Sequence, residues 1–221
     1  MKPVRSGWRI WPVVIIIRYW IIQGMLFMNN IERIHRLCLE AIFFGVIFAL
    51  MIVLDMPYAV VTSLILAHSC SFFFNGHVFA MMAHDLFWFS LYKDKRKFLR
   101  YLDDMYQRMN ALQPAYIEGV VFFGSLARGV FRETSDLDVR FISKPGFWNG
   151  IKSSHLVFKE RLHALMAGFP IDTYMFACEK EIREKMDVIN EHPVSLYNSN
   201  GNLKHILPET QSFQRFKEII S

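Results

Sequence analysis

The sequence predicts an α/β (α+β) domain with a small mixed sheet, preceded by an N-terminal helical hairpin associated with a membrane. Apolar residues make up 53% of the 221 residues, and they are concentrated in residues 8–92, whereas charges are spaced along the chain from Lys93 onward. In this second part, short runs with the apolar pattern of strands alternate with runs of helical period. We therefore divide the chain into a membrane-associated helical region, residues 1–92, and a second domain, residues 93–221.

The first apolar run, Ile10–Met28, is interrupted by Arg18 and Gln23 and has three tryptophans in or beside it. An arginine at the centre of a membrane helix costs about 2.5–3.5 kcal/mol on insertion scales. Tryptophan side chains favour the boundary between lipid and water. We therefore expect an interfacial helix that lies in the head-group region or tilts through it, with a further membrane span as the alternative.

Two uncharged runs follow, Ala41–Leu54 and Tyr58–Phe74, and the sequence Asp55–Pro57 separates them. Proline cannot continue a preceding helix, so this separator is expected at the tip of a helical hairpin that covers about residues 37–76. Each run is shorter than the ~20 residues that span a bilayer. The hairpin is therefore expected either to cross the membrane twice or to dip into one leaflet. A buried hairpin of a soluble protein is the third interpretation.

Residues 75–92 connect the hairpin to the second domain, and a second interfacial helix is expected there. Basic residues lie on both sides of the hairpin, with the run KDKRKFLR (Lys93–Arg100) close behind it, whereas the tip carries only Asp55. Lysine and arginine accumulate on the cytoplasmic side of membrane helices. We therefore expect both ends of the hairpin, and the whole of residues 93–221, to lie in the cytoplasm, with the basic run near anionic head groups.

The second domain is expected to contain helices and strands in alternation. Helices are predicted over Lys93–Leu112, Leu156–Gly168 and Glu179–Ile189, and strands over Tyr116–Phe123, Leu137–Ile142, Pro170–Ala177 and Val194–Asn198. Apolar residues recur at helical spacing in the former and form alternating or continuous apolar runs in the latter. Between the first two strands, the sequence GSLARG predicts a turn that opens a short helix.

Acidic residues occur at the start of the second strand and within the third. Asp136 and Asp138 flank Leu137, and side chains two residues apart in a strand point to the same face, so the two carboxylates project together. Two anionic oxygen donors at one point suit Mg²⁺, which also bridges to substrate phosphates. Asp172 lies among apolar residues, where an acid is costly unless it is paired or metal-bound. If the third strand lies beside the second, Asp172 supplies a third carboxylate.

The Gly124–Ser125 turn follows the buried first strand and is a candidate phosphate site. Glycine permits close approach of the backbone, and N–H groups at a helix N-terminus attract phosphate. Arg140 lies on the same face as Asp138 by strand alternation, where it balances the acids or contacts substrate. A phosphate-binding turn with three carboxylates provides the groups that metal-assisted phosphoryl or nucleotidyl transfer requires.

The segment GSLARGVFRETSDLDVRF resembles the signature of the DNA polymerase beta-like nucleotidyltransferase superfamily, in its small or minimal form. That signature consists of an apolar strand, Gly-Ser, Arg-Gly, a spacer and Ser-Asp-x-Asp, with a further acid on a later strand. The matching residues are Gly124, Ser125, Arg128, Gly129, Ser135, Asp136 and Asp138, with Asp172 as the later acid. The resemblance covers roughly residues 98–200 and does not extend to residues 1–92.

The resemblance implies an enzyme that transfers a nucleoside monophosphate from a nucleoside triphosphate, taken here as ATP, and releases pyrophosphate. It implies that Asp136, Asp138 and Asp172 are catalytic and bind metal. The metal would be two Mg²⁺ ions, with Mn²⁺ as the alternative to Mg²⁺. It further implies that Asp172 takes the proton from the acceptor hydroxyl while the acceptor attacks the α-phosphate.

The resemblance also implies which residues bind the nucleotide. Gly124 and Ser125 correspond to the positions that hold the β- and γ-phosphates. Arg128 contacts phosphate or caps the local structure, and these two interpretations are left open. Ser135 either belongs to the nucleotide site or caps the turn before the second strand.

Taken together, the resemblance and the apolar N-terminal region predict a membrane-attached nucleotidyltransferase that acts at the cytoplasmic face. The membrane region favours an acceptor that is lipid-linked or part of a glycan pathway. One alternative is modification of a partner protein, as in small toxin–antitoxin pairs of this superfamily, and another is a non-catalytic membrane adaptor that senses nucleotide. No nucleic-acid template is expected.

Overall fold

The computed structural model describes residues 12–75, 95–130, 137–169, 171–186, 193–199, 201 and 203–220. The predicted interfacial helix of residues 75–92 lies outside these ranges, apart from its first residue. Ser135 and Asp136 of the candidate site also lie outside the described residues. The other candidate site residues, including Asp138 and Asp172, are described.

Three apolar helices form the N-terminal region: α1 (Pro12–Ile22), α2 (Asn30–Val53) and α3 (Ala59–Phe74). The start of α2 is capped because the side chain of Asn29 accepts a hydrogen bond of 2.8 Å from the backbone N–H of Glu32. Helix α2 thus begins before the predicted limit of the hairpin at residue 37. Among the described helices, α2 alone is long and apolar enough to cross a membrane, while α1 and α3 are apolar but shorter.

Helices α2 and α3 pack against each other and are connected by a short turn at the predicted tip. Asp55 and Tyr58 have positive φ angles of 49° and 58° in this turn, so the chain reverses there. Nδ1 of His68 lies 2.7 Å from Oε1 of Glu40, and this polar pair joins the two helices away from the turn.

The rest of the described chain forms a five-stranded mixed sheet with helices packed on it, which confirms the predicted fold class. Its elements are α4 (Lys95–Leu112), β1 (Ile117–Phe123), β2 (Leu137–Ser143), α5 (Phe147–Met166), β3 (Ile171–Phe176), α6 (Glu179–Lys185), β4 (Val194–Asn198), α7 (Leu203–Ile206), β5 (Gln211–Ser212) and α8 (Phe213–Ile220). The strand order is β3–β2–β1–β4–β5. Strands β2 and β3 are parallel, as are β4 and β5, whereas β1 is antiparallel to both of its neighbours.

Both faces of the sheet are buried. Val120 and Phe122 of β1 belong to the larger hydrophobic cluster, which includes residues of α4, α5 and α8. Val121 and Phe123, on the opposite face, belong to a smaller cluster with residues of α6 and α7. A strand that is buried on both faces has a continuous apolar sequence, as residues Val120–Phe123 of β1 do.

The first turn of α2 packs on the edge of the sheet at β3. Asn29 donates a hydrogen bond of 2.7 Å to the carbonyl oxygen of Met175, and the backbone N–H of Met175 donates one of 3.0 Å to Glu32. Glu32 also accepts a hydrogen bond of 2.7 Å from the buried guanidinium of Arg161 on α5. These side chains take the place of a neighbouring strand at the edge. The predicted boundary between residues 92 and 93 therefore separates two parts of the chain that are packed together.

Two local predictions differ from the structure, and one region of it carries no sequence prediction. Residues 124–130 form a turn rather than the start of a helix, because Gly129, at a φ of +74°, ends the helix-like hydrogen bonding that the turn begins. Helix α5 begins at Phe147, well before the predicted Leu156. The prediction begins too late because residues 147–155 are mostly polar and show little apolar periodicity. The C-terminal elements, from Leu203 to Ile220, are not among the sequence predictions.

Candidate active site

Asp138 and Asp172 lie side by side on neighbouring parallel strands. The register pairs Asp138 of β2 directly with Asp172 of β3, and neighbouring strands lie about 4.8 Å apart, so paired side chains project from the same face of the sheet. Both carboxylates are partly exposed. The third strand thus lies beside the second, which is the condition that the sequence analysis set for Asp172, and the pairing brings Asp138 and Asp172 together.

The guanidinium of Arg140 contacts both carboxylates. Its Nη2 donates to Oδ2 of Asp172 at 3.0 Å and lies 3.4 Å from Oδ1 of Asp138. Its Nη1 donates to the carbonyl oxygens of Val139 and Asp172 at 3.0 and 2.8 Å. Burial alone would lower the pKa of Arg140, but the two carboxylates outweigh that effect and raise it above the usual value. Arg140, which sequence alternation places on this face, therefore neutralises part of the negative charge of the pair.

Gly124 lies directly against the carboxylate of Asp138. Strand β1 pairs Phe123 with Asp138, so the residue after Phe123 begins the turn at the same end of the sheet. Gly124 has a φ of +88°, and a Cβ placed on it would come within 2.6 Å of Oδ2 of Asp138. Only glycine fits this position, because any side chain would meet both an unfavourable backbone conformation and the carboxylate.

The other described residues of the predicted phosphate turn lie beyond Gly124. Ser125 is half-buried, whereas Arg128 and Gly129 are exposed at the surface of the turn. The backbone N–H of Val130 donates a hydrogen bond of 2.9 Å to the carbonyl oxygen of Ser125, which closes the turn. The turn therefore presents its backbone beside Asp138.

The described part of the site provides two carboxylates for a metal. No group of three histidine, cysteine or acidic side chains that could hold a metal ion is found among the described residues. Asp136, the third predicted ligand, precedes Asp138 by two residues and lies outside them. Carboxylate oxygens are the ligands that Mg²⁺ prefers, and the pair is partly exposed, so these donors fit that ion.

A cavity of about 820 Å³ opens beside Asp172. Asp172, Tyr174 and Phe176 of β3 form part of its lining, together with Arg140. The opposite part of the lining comes from α1 and from the turn between α1 and α2, over residues 18–27. The N-terminal region thus contributes directly to a cavity at the candidate site.

Sequence reasoning did not identify this cavity, because its lining joins segments far apart in the chain. The signal that could have indicated it is Arg18, a charge within an apolar helix. From the sequence alone, that charge favours an interfacial position for the helix. In the structure, Arg18 lies in the same cavity lining as Asp172.

Tyr174 connects the candidate site to the contact between α2 and the sheet. Its ring lies 5.3 Å from the guanidinium carbon of Arg140 and 5.5 Å from that of Arg161. Burial raises the pKa of Tyr174, and the nearby carboxylate of Asp172 raises it further. The tyrosine therefore stays protonated and packs between two cations, one in the candidate site and one paired with Glu32 of α2.

Comparison with known protein families gives one match. Residues 96–195 match the model of a family described as nucleotidyltransferase domain. No curated protein and no solved structure gave a significant match to the chain. The matched segment contains Gly124, Asp138 and Asp172 and excludes α1–α3. The match supports the assignment of this domain to the nucleotidyltransferase superfamily. In general terms, it also supports a reaction that transfers a nucleoside monophosphate from a nucleotide substrate.

Proposed function

We propose that this chain is a membrane-attached, metal-dependent nucleotidyltransferase that moves a nucleoside monophosphate from ATP or another nucleoside triphosphate to an acceptor at the cytoplasmic face of the membrane. The observation that carries the proposal is the pairing of Asp138 with Asp172 in one register position, with the backbone of Gly124 against Asp138. The family match over residues 96–195 supports the reaction class.

In this proposal Asp136, Asp138 and Asp172 would hold two Mg²⁺ ions, or Mn²⁺, which takes similar oxygen ligands. When bound, the metal would polarise the phosphoryl oxygens and neutralise charge on the triphosphate. Arg140 positions the carboxylates, since it contacts both of them. Its charge also lowers the repulsion between the acids before metal binds.

The turn after β1 is proposed to hold the triphosphate. The N–H groups of Gly124 and Ser125 would donate to oxygens of the β- and γ-phosphates, while the missing side chain at Gly124 lets this backbone lie against Asp138. The exposed Arg128 would add a charged hydrogen bond to a phosphate. Ser135, next to Asp136 in the chain, is proposed to complete the nucleotide site.

Asp172 is proposed to accept the proton of the acceptor hydroxyl. The acceptor oxygen then forms a bond to the α-phosphorus, and the bond between that phosphorus and the oxygen bridging to the β-phosphate breaks. Pyrophosphate leaves with the electron pair of the broken bond. The position of Asp172 beside the cavity, on the side of the pair away from Gly124, supports its assignment to the acceptor.

The apolar helices are proposed to attach the protein to the membrane. Helix α2 has the length and composition of a membrane helix, and α2 and α3 expose large apolar side chains such as Val46, Leu50, Val61 and Ile65. Exposed apolar surface of this kind requires cover by lipid or by protein. The basic residues on both sides of the helix pair favour cytoplasmic ends.

The test uses the full-length protein in phospholipid vesicles with membrane extract, Mg²⁺ and ATP labelled at the α-phosphate. Wild type should transfer label, and Asp136→Ala, Asp138→Ala and Asp172→Ala should each reduce the rate about 100-fold or more. Asp103→Ala is the control, because Asp103 forms an exposed ion pair of 2.9 Å with Lys217 and is not among the predicted site residues.

The location of the label distinguishes the possible acceptors. Label in the lipid extract supports the proposed acceptor class, whereas a labelled protein band indicates modification of a partner protein. Nucleotide binding without transfer to any acceptor would indicate a nucleotide-sensing adaptor and contradict the proposal. Unreduced transfer by the three aspartate variants would contradict the assigned site.

A further inference from the structure

We propose that the cavity beside Asp172 binds an anionic amphiphile, a molecule with an apolar chain and a phosphate-like head that carries a hydroxyl, and that this hydroxyl is the acceptor. The role of the ligand as acceptor rests on the proposed function, whereas its binding does not. Nothing in the family match accounts for this cavity, because one side of its lining lies in residues 18–27, outside the matched segment.

The position of the cavity separates it from the proposed triphosphate site. Gly124 follows β1, Asp138 lies on β2 and Asp172 on β3, which is an edge strand of the sheet. The cavity is lined by Asp172 and Arg140 but not by Gly124 or Asp138. A triphosphate held at Gly124 and a second molecule in the cavity would therefore approach the carboxylate pair from opposite sides.

The lining of the cavity is mainly apolar and continues into exposed apolar surface. Ile22, Leu26 and Phe27 line it on the N-terminal side. Leu26 and Phe27 are 70% and 64% exposed, so they lie at the rim. Large exposed apolar side chains around a concavity are typical of binding sites for apolar ligands or membranes. The apolar part of a ligand could therefore extend from the cavity to the surface that α1 exposes.

Among the described residues of the cavity lining, the charged groups are predominantly cationic. There, Arg18, Arg140 and Lys185 contribute three positive charges, against the single carboxylate of Asp172. The ammonium group of Lys185 donates to the carbonyl oxygen of Phe27 at 3.0 Å and lies 5.7 Å from the ring centre of Phe176. Arg18 of α1 and Lys185 of α6 are the cations of this lining that lie apart from the carboxylate pair, and we assign the anionic head group to them.

A nucleobase is a less suitable occupant of this cavity. Recognition of a base requires hydrogen-bond donors and acceptors at its edge, in addition to stacking. Among the described lining residues, neutral polar side chains are limited to Tyr19 and Tyr174, and the others are apolar or charged. Cations beside an apolar wall match the two ends of an amphiphile.

The test is photo-crosslinking of a long-chain alkyl phosphate that carries a photoreactive group in its chain. The full-length protein is placed in phosphatidylcholine vesicles with EDTA and without nucleotide, so that binding is measured independently of catalysis. Crosslinks are expected within residues 18–27 and 174–186. An alkyl glucoside with the same photoreactive chain is the uncharged comparison and should crosslink there about ten-fold less.

Variants identify the groups that bind the head and the chain. Arg18→Gln and Lys185→Met should each lower crosslinking of the alkyl phosphate about ten-fold. Lys180→Met is the matched control, because Lys180 lies on the same helix as Lys185, is exposed and does not line the cavity. Leu26→Ser keeps every charge, replaces a side chain that is 70% exposed, and should lower crosslinking of both probes.

Several outcomes would overturn the binding site. These are equal crosslinking of both probes, unchanged crosslinking in the combined variant of Arg18 and Lys185, and loss of the cavity crosslinks on addition of metal-free ATP. The last result would show that the nucleotide occupies the cavity.

The acceptor role is tested separately with α-labelled ATP and Mg²⁺. The acceptor role is supported if wild type transfers label to a lipid acceptor and Lys185→Met raises the KM for that acceptor about ten-fold with little change in kcat. Cavity crosslinks in a wild-type protein that transfers no label would overturn the proposed function and the acceptor role while retaining the binding site. Label transfer without cavity crosslinks would overturn the cavity proposal alone.

Discussion

A Cβ on Gly124 would come within 2.6 Å of the Oδ2 atom of Asp138, so the turn after β1 and the carboxylate on β2 are in direct contact. We expect Gly124→Ala to displace the carboxylate and to lower the rate of label transfer about 100-fold, because small displacements at a reacting centre are costly. The variant is compared with wild type in the transfer assay and by thermal unfolding.

Gly129→Ala is the matched control for this substitution. Gly129 also has a positive φ, of 74°, but a Cβ there meets nothing within 4 Å. Both variants should lose about 1 kcal/mol of stability from backbone strain, and only Gly124→Ala should lose most of the activity. Equal activity in the two variants would show that the contact with Asp138 does not matter.

Removal of Arg140 should make the stability of the protein depend on Mg²⁺. Without the guanidinium, the carboxylates of Asp138 and Asp172 repel each other unless a cation lies between them. We expect Arg140→Gln to lower the free energy of unfolding by about 2 kcal/mol in EDTA, and Mg²⁺ to restore part of that loss. Denaturant unfolding with and without Mg²⁺ measures the difference, and a loss that is the same in both conditions would argue against a metal at this pair.

The buried ion pair between Glu32 and Arg161 should be essential to the contact between α2 and the sheet. Glu32→Ala leaves the guanidinium of Arg161 buried without its carboxylate, and we expect a loss of about 3–5 kcal/mol in unfolding free energy. Glu184→Ala is the control, since Glu184 pairs with Lys180 at the surface and its removal should cost no more than about 0.5 kcal/mol. Similar stability of the two variants would contradict the importance of the docked helix.

Membrane attachment through α2 can be tested by a charge on its exposed face. Val46 is 66% exposed, so Val46→Asp should be tolerated in water, but it should cost about 2.5–3.5 kcal/mol at the centre of a membrane helix. Leu112→Asp is the control on α4, where Leu112 is 55% exposed. We expect Val46→Asp to reduce the fraction of the protein that stays in the membrane after extraction with alkaline carbonate. Leu112→Asp should leave that fraction unchanged. Equal extraction of both would contradict the membrane role of α2.

The fold of the second domain could be predicted because its strands carry local signals. Strand β4, Val194–Asn198, has the bounds that its apolar pattern predicts. The pairing of Asp138 with Asp172 required only that β2 and β3 be neighbours. The turn after Gly124 was predicted as a helix start, because the sequence does not show that Gly129 takes a positive φ and ends the local hydrogen bonding.

The role of the first turns of α2 could not be predicted, because it depends on contacts with distant residues. Glu32 and Arg36 precede the predicted hairpin of residues 37–76 and are charged. In the structure both are buried. Glu32 is paired with Arg161, and Arg36 donates to the carbonyl oxygen of Gln23. A charge that is neutralised across 129 residues of sequence separation leaves no local pattern.

The capping of Met175 by Asn29 and Glu32 has a consequence for the newly made chain. Both backbone groups of Met175 are hydrogen-bonded to these side chains, so they offer neither donor nor acceptor to a strand from another molecule. Because translation proceeds from the N-terminus, α2 leaves the ribosome before β3 does. The helix that covers this sheet edge is therefore already synthesised when β3 is made. This order limits the time during which nascent chains could aggregate through the edge.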